Sequence, residues 1–376
     1  KLTGKVEKRG VDALGKAMDY QLLSAMSRGQ LELANAPASV VQSYRRTSFS
    51  GITKRQEGRE GNNKAAGFIG EESGQDESPI DMSLLGVGAH QYAANDVPAG
   101  LPEGVDMPLA RVPGGTYFGR VMHKVYEVVD TSKDLREEVT RAIDIHASSA
   151  LLRPFRDQLI EGVIASYRTP LGMPFNGKAL ADIDPSDRLS ELDFEMSLPN
   201  LSQGVLASDI GKLLKDSLGT NDLLYAYADT LSDSSFDIPL AGLLNGSIDA
   251  VIRVHTEDGS PRLFITDYKT NRLDGDEDVS LIEAYAPKRL VAAMEQHHYP
   301  LQALLYGTAI YRMLRWRQPS MNADEVIAGI AYFFVRGMVG AESLKDADGM
   351  RYGVFQWKAP VGLWEKLSNL FAGDRP

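Results

Sequence analysis

From residue 111 to residue 376 the sequence predicts a mixed α/β or α+β domain, and three observations carry that expectation. Apolar residues recur at helical spacing near 115–130, 134–166, 280–294 and 299–317. Short runs rich in β-branched and aromatic residues stand near 188–198, 246–254, 262–269 and 327–336. Between the second and third of these runs, HTEDGSP carries Asp258-Gly259, the turn signal of a β-hairpin.

What precedes the domain differs in composition. VDALGKAMDYQLLSAMSRG (11–29) has apolar residues at helical spacing and Gly29 as a stop, so it is expected to form one helix. From residue 51 to about 104 the chain turns to Gly, Ser, Asn, Glu and Pro, as in GREGNNKAAGFIGEESGQDESP. Such a stretch buries too little apolar surface to offset chain entropy and reads as a flexible linker. The expected organisation is a helical segment over 1–43, a lead-in and acidic linker over 44–110, and the main domain over 111–376. The first residue is Lys1 rather than Met, which suggests a piece of a longer chain.

Composition narrows the chemistry. The chain has no Cys, so disulfides, thiolate-held clusters and cysteine zinc sites are excluded, and any metal must be held by oxygen or histidine. The net charge of -11 is unevenly spread: residues 1–70 carry 12 Lys+Arg against 6 Asp+Glu, while residues 71–110 carry 8 acids and no Lys or Arg. The main body is acidic too, so contact with a polyanion has to rely on local basic patches, bound metal or a basic partner. No apolar run is long enough to cross a bilayer and no charged-then-apolar leader is visible, so a soluble, cytoplasmic protein is expected.

The predicted hairpin concentrates the charged residues. In GSIDAVIRV (246–254), alternation puts Ile248, Ala250, Ile252 and Val254 on one face and Asp249 on the other. In FITDYKTNRL (264–273), Asp267 and Lys269 project together while Phe264, Thr266 and Tyr268 project the other way. An odd-length loop centred on Asp258 sets Asp249 opposite Asp267. Carboxylates about 5 Å apart repel by roughly 3 kcal/mol at an effective dielectric near 20, which a divalent cation such as Mg²⁺ would relieve. A register off by one would leave Asp249 as a loop cap instead.

Together, G-x-x-D (246–249), D-Y-K-T (267–270) and Y-P-L-Q-A-L-L-Y (299–306) resemble the RecB-type nuclease domain, the C-terminal domain of the exodeoxyribonuclease V beta subunit, in the PD-(D/E)XK superfamily. YRRTSFSGI (44–52), PGGTYFGRVMHKVYE (113–127) and YFFVRG (332–337) extend the resemblance in the family's order, over roughly 44–58 and 108–372. It implies a central mixed β-sheet flanked by helices. It implies Asp249, Asp267 and Lys269 as catalytic residues, with His123, Asp249, Asp267 and the backbone carbonyl of Tyr268 as metal ligands. Glu191 matches a supporting acid, and Gln302 and Tyr306, four apart on one helix face, match the family's Q-x-x-x-Y element. The implied cofactor is Mg²⁺, with Mn²⁺ as a substitute and Ca²⁺ binding without supporting cleavage. The implied partners are single strands of DNA fed from a helicase and RecC-like and RecD-like subunits.

Read without the family, phosphodiester hydrolysis needs an activated water, a Lewis acid on the phosphate and relief of charge on the leaving oxygen, which two carboxylates, an imidazole and a lysine can supply. The rival is a catalytically inactive scaffold of the same fold, expected to lack one of Asp249, Asp267, Lys269 or His123; all four are present. A carboxylate-pair glycoside hydrolase fits less well, since Lys269 beside the acids suits an anionic substrate. His123 within a helical apolar pattern would by itself read as a core or surface histidine. His297 and His298 are expected on a solvated face, and Arg312, Arg315 and Arg317 form either a basic patch or a solvated helix end. The chain holds no G-x-x-x-x-G-K-[ST] phosphate loop, so a motor driven by ATP is not expected within it.

Overall fold

A computed structural model describes residues 46–60, 105–200, 204–273 and 281–373, with backbone alone for 56–60. The predicted helix over 11–29 and the predicted linker beyond residue 60 lie outside the described residues.

Among the described residues the centre is a six-stranded mixed sheet. Its strands are β1 (Arg46–Thr47), β2 (Arg188–Ser197), β3 (Leu243–His255), β4 (Pro261–Lys269), β5 (Ile327–Phe334) and β6 (Val354–Trp357). They run in the order β1-β3-β4-β5-β6, with β2 also on β3. β4 and β5 are parallel, β4 buried from Phe264 onward and the apolar β5 over nearly all its length, whereas β3–β4 and β5–β6 are antiparallel. The pairings of β3 fix where its edges are free. β2 covers one edge over 243–252; the other edge carries β1 at Leu243 and Leu244 and β4 from Ala250 onward. Between β1 and β4 the ladder opens, and Asp249 stands at that opening.

Helices cover both faces. One apolar core, containing Phe118, Val125, Val139, Val163, Tyr268 and Phe333, lies under α2 (Thr116–Val128), α3 (Leu135–His146) and α4 (Arg156–Arg168). The other, containing Ile210, Leu231, Ile265, Leu304 and Leu367, lies under α5 (Ala207–Ser217), α6 (Tyr225–Leu231), α7 (Pro287–Gln296), α8 (Tyr299–Arg317) and α10 (Leu363–Leu370). α1 (Phe49–Glu60) and the short α9 (Ala323–Val326) complete the α-helices of the described residues.

Several expectations are revised. The helix predicted over 134–166 is two: Asp134 caps α3 by accepting from the Glu137 N–H at 2.9 Å, and Pro154 lies in the connection to α4. The helix predicted over 280–294 is α7, because Pro287 holds Ala286 extended (φ -62, ψ 144) and fits the first helical turn. Residues 51–60 of the predicted linker are helical in α1, with Ile52 fully buried in the core. Ile248 packs into the core opposite to that of Ala250, Ile252 and Val254, the alternation being broken where β2 passes Glu191. No described helix is long and apolar enough to cross a membrane.

Candidate metal centre

The β3–β4 hairpin has the predicted register, with Ala250 opposite Thr266. Asp249 and Asp267 stand one position beyond that pair, where the ladder ends. Their carboxylates take different partners. The Asp249 Oδ2 lies 3.0 Å from His123 Nδ1 and accepts a hydrogen bond from the Tyr268 backbone N–H at 2.9 Å. The Asp267 Oδ2 lies 2.8 Å from Lys269 Nζ. The predicted face-to-face repulsion is thus relieved by two cationic neighbours already in the protein.

Glu191 joins the first group. The β2–β3 register sets it across from Asp249, between the pairs Ser190–Ala250 and Leu192–Ile248. Its φ of 50° is one that side chains with a Cβ rarely adopt, and such strain persists where surroundings over-determine it. Its Oε2 accepts from Ser247 Oγ at 3.0 Å. His123, Glu191 and Asp249 each offer one ligand atom within 4.8 Å of the others. One imidazole nitrogen and two carboxylate oxygens suit a divalent cation such as Mn²⁺ or Mg²⁺. The sequence reading had Asp267 and the Tyr268 carbonyl beside His123 and Asp249; in this structure Glu191, expected only as support, completes the three-residue group.

Electrostatics couples the parts. Burial disfavours charge on His123, yet the Asp249 carboxylate and, further off, Asp267 raise its pKa to about 9. Burial opposes ionisation of Asp249 too, but the His123 imidazolium holds its pKa below the usual carboxylate value. Burial and then the Asp249 charge push Glu191 upward. The charge of Asp267 therefore reaches His123 although its oxygen is paired with Lys269.

Lys269 is enclosed. Its side chain is 1% exposed, against 20% for His123 and 12% for Asp249. Nζ donates to Gln302 Oε1 at 3.2 Å, and Gln302 Nε2 donates to Tyr306 at 3.2 Å, so the Q-x-x-x-Y pair on α8 closes over the lysine. The Tyr268 ring turns to the other face and stacks on Tyr126 at 4.2 Å.

Close backbone approach brings these elements together. A Cβ on Gly119 would come 3.3 Å from Thr270 Oγ1, so α2 lies against the end of β4 and His123 reaches Asp249 one turn later. A Cβ on Gly246 would come 2.9 Å from the Phe194 ring, which packs edge-on against Tyr306 at 5.6 Å. Arg336, to which the sequence reading gave no role, is buried after β5. It donates to the carbonyls of Thr270 and Val112, both at 2.8 Å, and of Leu109. It ties the strand end that carries Lys269 to the segment leading into α2. His297 and His298 are half-buried rather than on a solvated face: His297 stacks on Tyr299 at 5.2 Å and His298 Nδ1 lies 3.2 Å from the Tyr227 hydroxyl. Arg312 is anchored on the Ser368 and Ser197 carbonyls, and Arg315 lies 3.6 Å from Glu365, so only part of that patch faces solvent with unspent charge.

Comparison with known proteins places the chain. No family model matches it. It is 35% identical over 347 residues to the RecBCD enzyme subunit RecB of Mycolicibacterium smegmatis, covering 90% of this chain and 30% of that protein. It is 39% identical over 282 residues to the RecB subunit of Mycobacterium tuberculosis, covering 71% of this chain and 25% of that protein. The RecB subunit of Escherichia coli matches over 332 residues at 26% identity, covering 88% and 23%. Most of the chain is therefore similar to RecB subunits, and it spans less than a third of the length of these curated relatives.

Proposed function

We propose that the chain is the nuclease portion of a RecB-type subunit, with a metal-dependent deoxyribonuclease site of the PD-(D/E)XK kind. In this reading residues 111–376, with β1 and α1 added, form the nuclease domain. It hydrolyses phosphodiester bonds in single strands fed from a helicase, beside RecC-like and RecD-like subunits, during double-strand-break repair and degradation of linear DNA in the cytoplasm. One observation carries the reading: His123, Glu191 and Asp249 converge at the opening of the sheet, where the β3–β4 ladder ends beside the Asp267–Lys269 pair. The similarity to RecB subunits supports it.

His123, Asp249, Asp267 and the Tyr268 carbonyl are the proposed ligands, with Glu191 as a further or supporting acid. A bound Mg²⁺ or Mn²⁺ would supply a water of lowered pKa and a Lewis acid on a non-bridging phosphate oxygen. Asp249 orients the His123 ring through Nδ1 and sets its proton content. Charged Lys269 has no lone pair and so is no ligand; it offsets charge that develops on the phosphate in the transition state. Asp267 holds that ammonium in place. Gln302 and Tyr306 hold the lysine from the helix side.

The test is cleavage of end-labelled single-stranded DNA with Mg²⁺, with EDTA, and with Asp249→Asn. Cleavage should occur only in the parent with metal. Cleavage that survives EDTA or Asp249→Asn would overturn the reading, as would an inert parent chain that binds DNA.

A further inference from the structure

Lys269 sits among aromatic rings that the chemistry above does not by itself require. Its Nζ lies 3.8 Å from the Tyr299 ring centroid and 5.4 Å from that of Tyr332. Both tyrosines are buried, one at the start of α8 and the other on β5. Each ring is held by its own hydroxyl. Tyr299 donates to Asn271 Oδ1 at 3.0 Å; Tyr332 donates at 2.9 Å to Gln302 Oε1, the oxygen that Lys269 also reaches. His297 stacks on Tyr299 and the Tyr332 ring lies 5.9 Å from it, so neither face is loosely packed.

The physical consequence follows from what a ring face offers a cation. A lysine stem has four rotatable bonds, and an aliphatic wall would leave its buried charge poorly compensated. A second carboxylate would compensate it but would draw the ammonium away from Asp267. An aromatic face attracts the charge without forming a directional bond, so the ammonium keeps its donors for Asp267, Gln302 and a substrate oxygen. We propose that Tyr299 and Tyr332 are positioning residues for Lys269, their ring faces seating its ammonium against Asp267. This rests on the reading of Lys269 as the residue that serves phosphodiester cleavage.

The experiment is run on the full chain with labelled single-stranded DNA at saturating Mg²⁺, and with Mn²⁺ titrated by calorimetry. Tyr299→Leu should lower kcat by about 10- to 30-fold, the rate equivalent of the attraction between a ring and a desolvated cation. The KM for the strand and the Mn²⁺ midpoint should stay within about threefold. Tyr299→Phe should restore most of the rate. Placing mono-, di- and trifluorinated phenylalanine at position 299 should lower it stepwise, because fluorine weakens the ring face while keeping its shape and hence the fold. In a Lys269→Met background, Tyr299→Leu should cost nothing further, since its effect passes through the lysine. A flat fluorine series, or an undiminished Tyr299→Leu effect in that background, would overturn the proposal. Melting temperature reads the seat independently of cleavage: it should fall along the fluorine series in the parent and not in Lys269→Met. An inert parent would therefore overturn the proposed function while the melting series still decided the seat.

Discussion

The two ends of the candidate site solve opposite problems with similar residues. At one end His123, Glu191 and Asp249 stand at an opening between β1 and β4, within reach of solvent, with two acids crowded on one imidazole. At the other, Asp267 and Lys269 are almost wholly buried, and their charges are met by each other, by Gln302 and by aromatic rings. The open end has surplus negative charge and can exchange an ion with water. The closed end is balanced and cannot take a charge away without a large cost. A site that must bind a mobile cation and also keep a fixed one needs both, and Asp267, paired with Lys269 yet felt by His123, links them.

The difference is broken most forcefully at the closed end. Removing one partner of a buried ion pair typically costs about 3–5 kcal/mol, because the other charge stays behind. Asp267→Asn should therefore lower the urea-unfolding free energy of the metal-free chain by up to about 3–5 kcal/mol, although two facing carboxylates, as the sequence suggested, would have made that change neutral or stabilising. Adding Lys269→Met to Asp267→Asn should recover much of the loss. A fully stable single variant would show that the pair is not formed in solution.

At the open end the loss should fall on the ion rather than the fold. His123→Ala should weaken Mn²⁺ binding by roughly 10- to 100-fold, the range seen when a residue that holds or orients a metal is removed, with little change in metal-free unfolding. Mg²⁺ should suffer no more than Mn²⁺, the imidazole favouring the softer ion. Equal Mn²⁺ titrations for parent and variant would return His123 to the core histidine its helical pattern alone suggests.

The same histidine predicts a pH response. Its pKa is raised to about 9 in the metal-free fold, above the unfolded value of about 6.5. The stability this contributes is fully present below about 6.5 and is lost as pH rises through about 9. The metal-free melting temperature should therefore decline across that window. A cation that uses His123 must displace its proton, so log affinity should rise by about one per pH unit below 9 and level off above it. In His123→Ala both trends should flatten, and unchanged slopes would separate the histidine from the ion.

The smallest effect expected is at Glu191. Glu191→Gly relieves a backbone with φ of 50° and should stabilise the metal-free chain by up to about 1 kcal/mol, while weakening Mn²⁺ binding by losing an oxygen ligand. Thermal melts with and without Mn²⁺ separate the two signs. Destabilisation in both would mean that the Ser247 contact, not ligation, explains the strained residue.

Much of this was legible in the chain itself. Helical periodicity located α8 at its observed bounds, and the loop centred on Asp258 set the register that brings Asp249 and Asp267 to the ladder's end. The motifs named His123, Lys269, Gln302 and Tyr306, which the fold does bring to one end of the sheet. What stayed hidden were pairings without sequence spacing. In RLSELDFEMS the polar alternation changes phase at Ser190-Glu191, a faint mark that by itself does not tell a reversed φ from an ordinary irregularity. Tyr299 and Tyr332 stand within the matched motifs, yet their contact with Lys269 stayed hidden because a cation–ring contact between a strand and a helix leaves no one-dimensional period. The helices over 207–217 and 363–370 were missed as short patterns whose apolar faces are defined by tertiary neighbours.

In this site Lys269 serves the charge of the transition state and takes no part in binding the ion. Lys269→Met tests it most directly, with Mn²⁺ calorimetry and cleavage of labelled single-stranded DNA measured on the same preparation. The Mn²⁺ affinity should stay within about threefold of the parent while the cleavage rate falls by at least about 100-fold. Loss of Mn²⁺ binding in a folded Lys269→Met chain, or cleavage at the parent's rate, would contradict it.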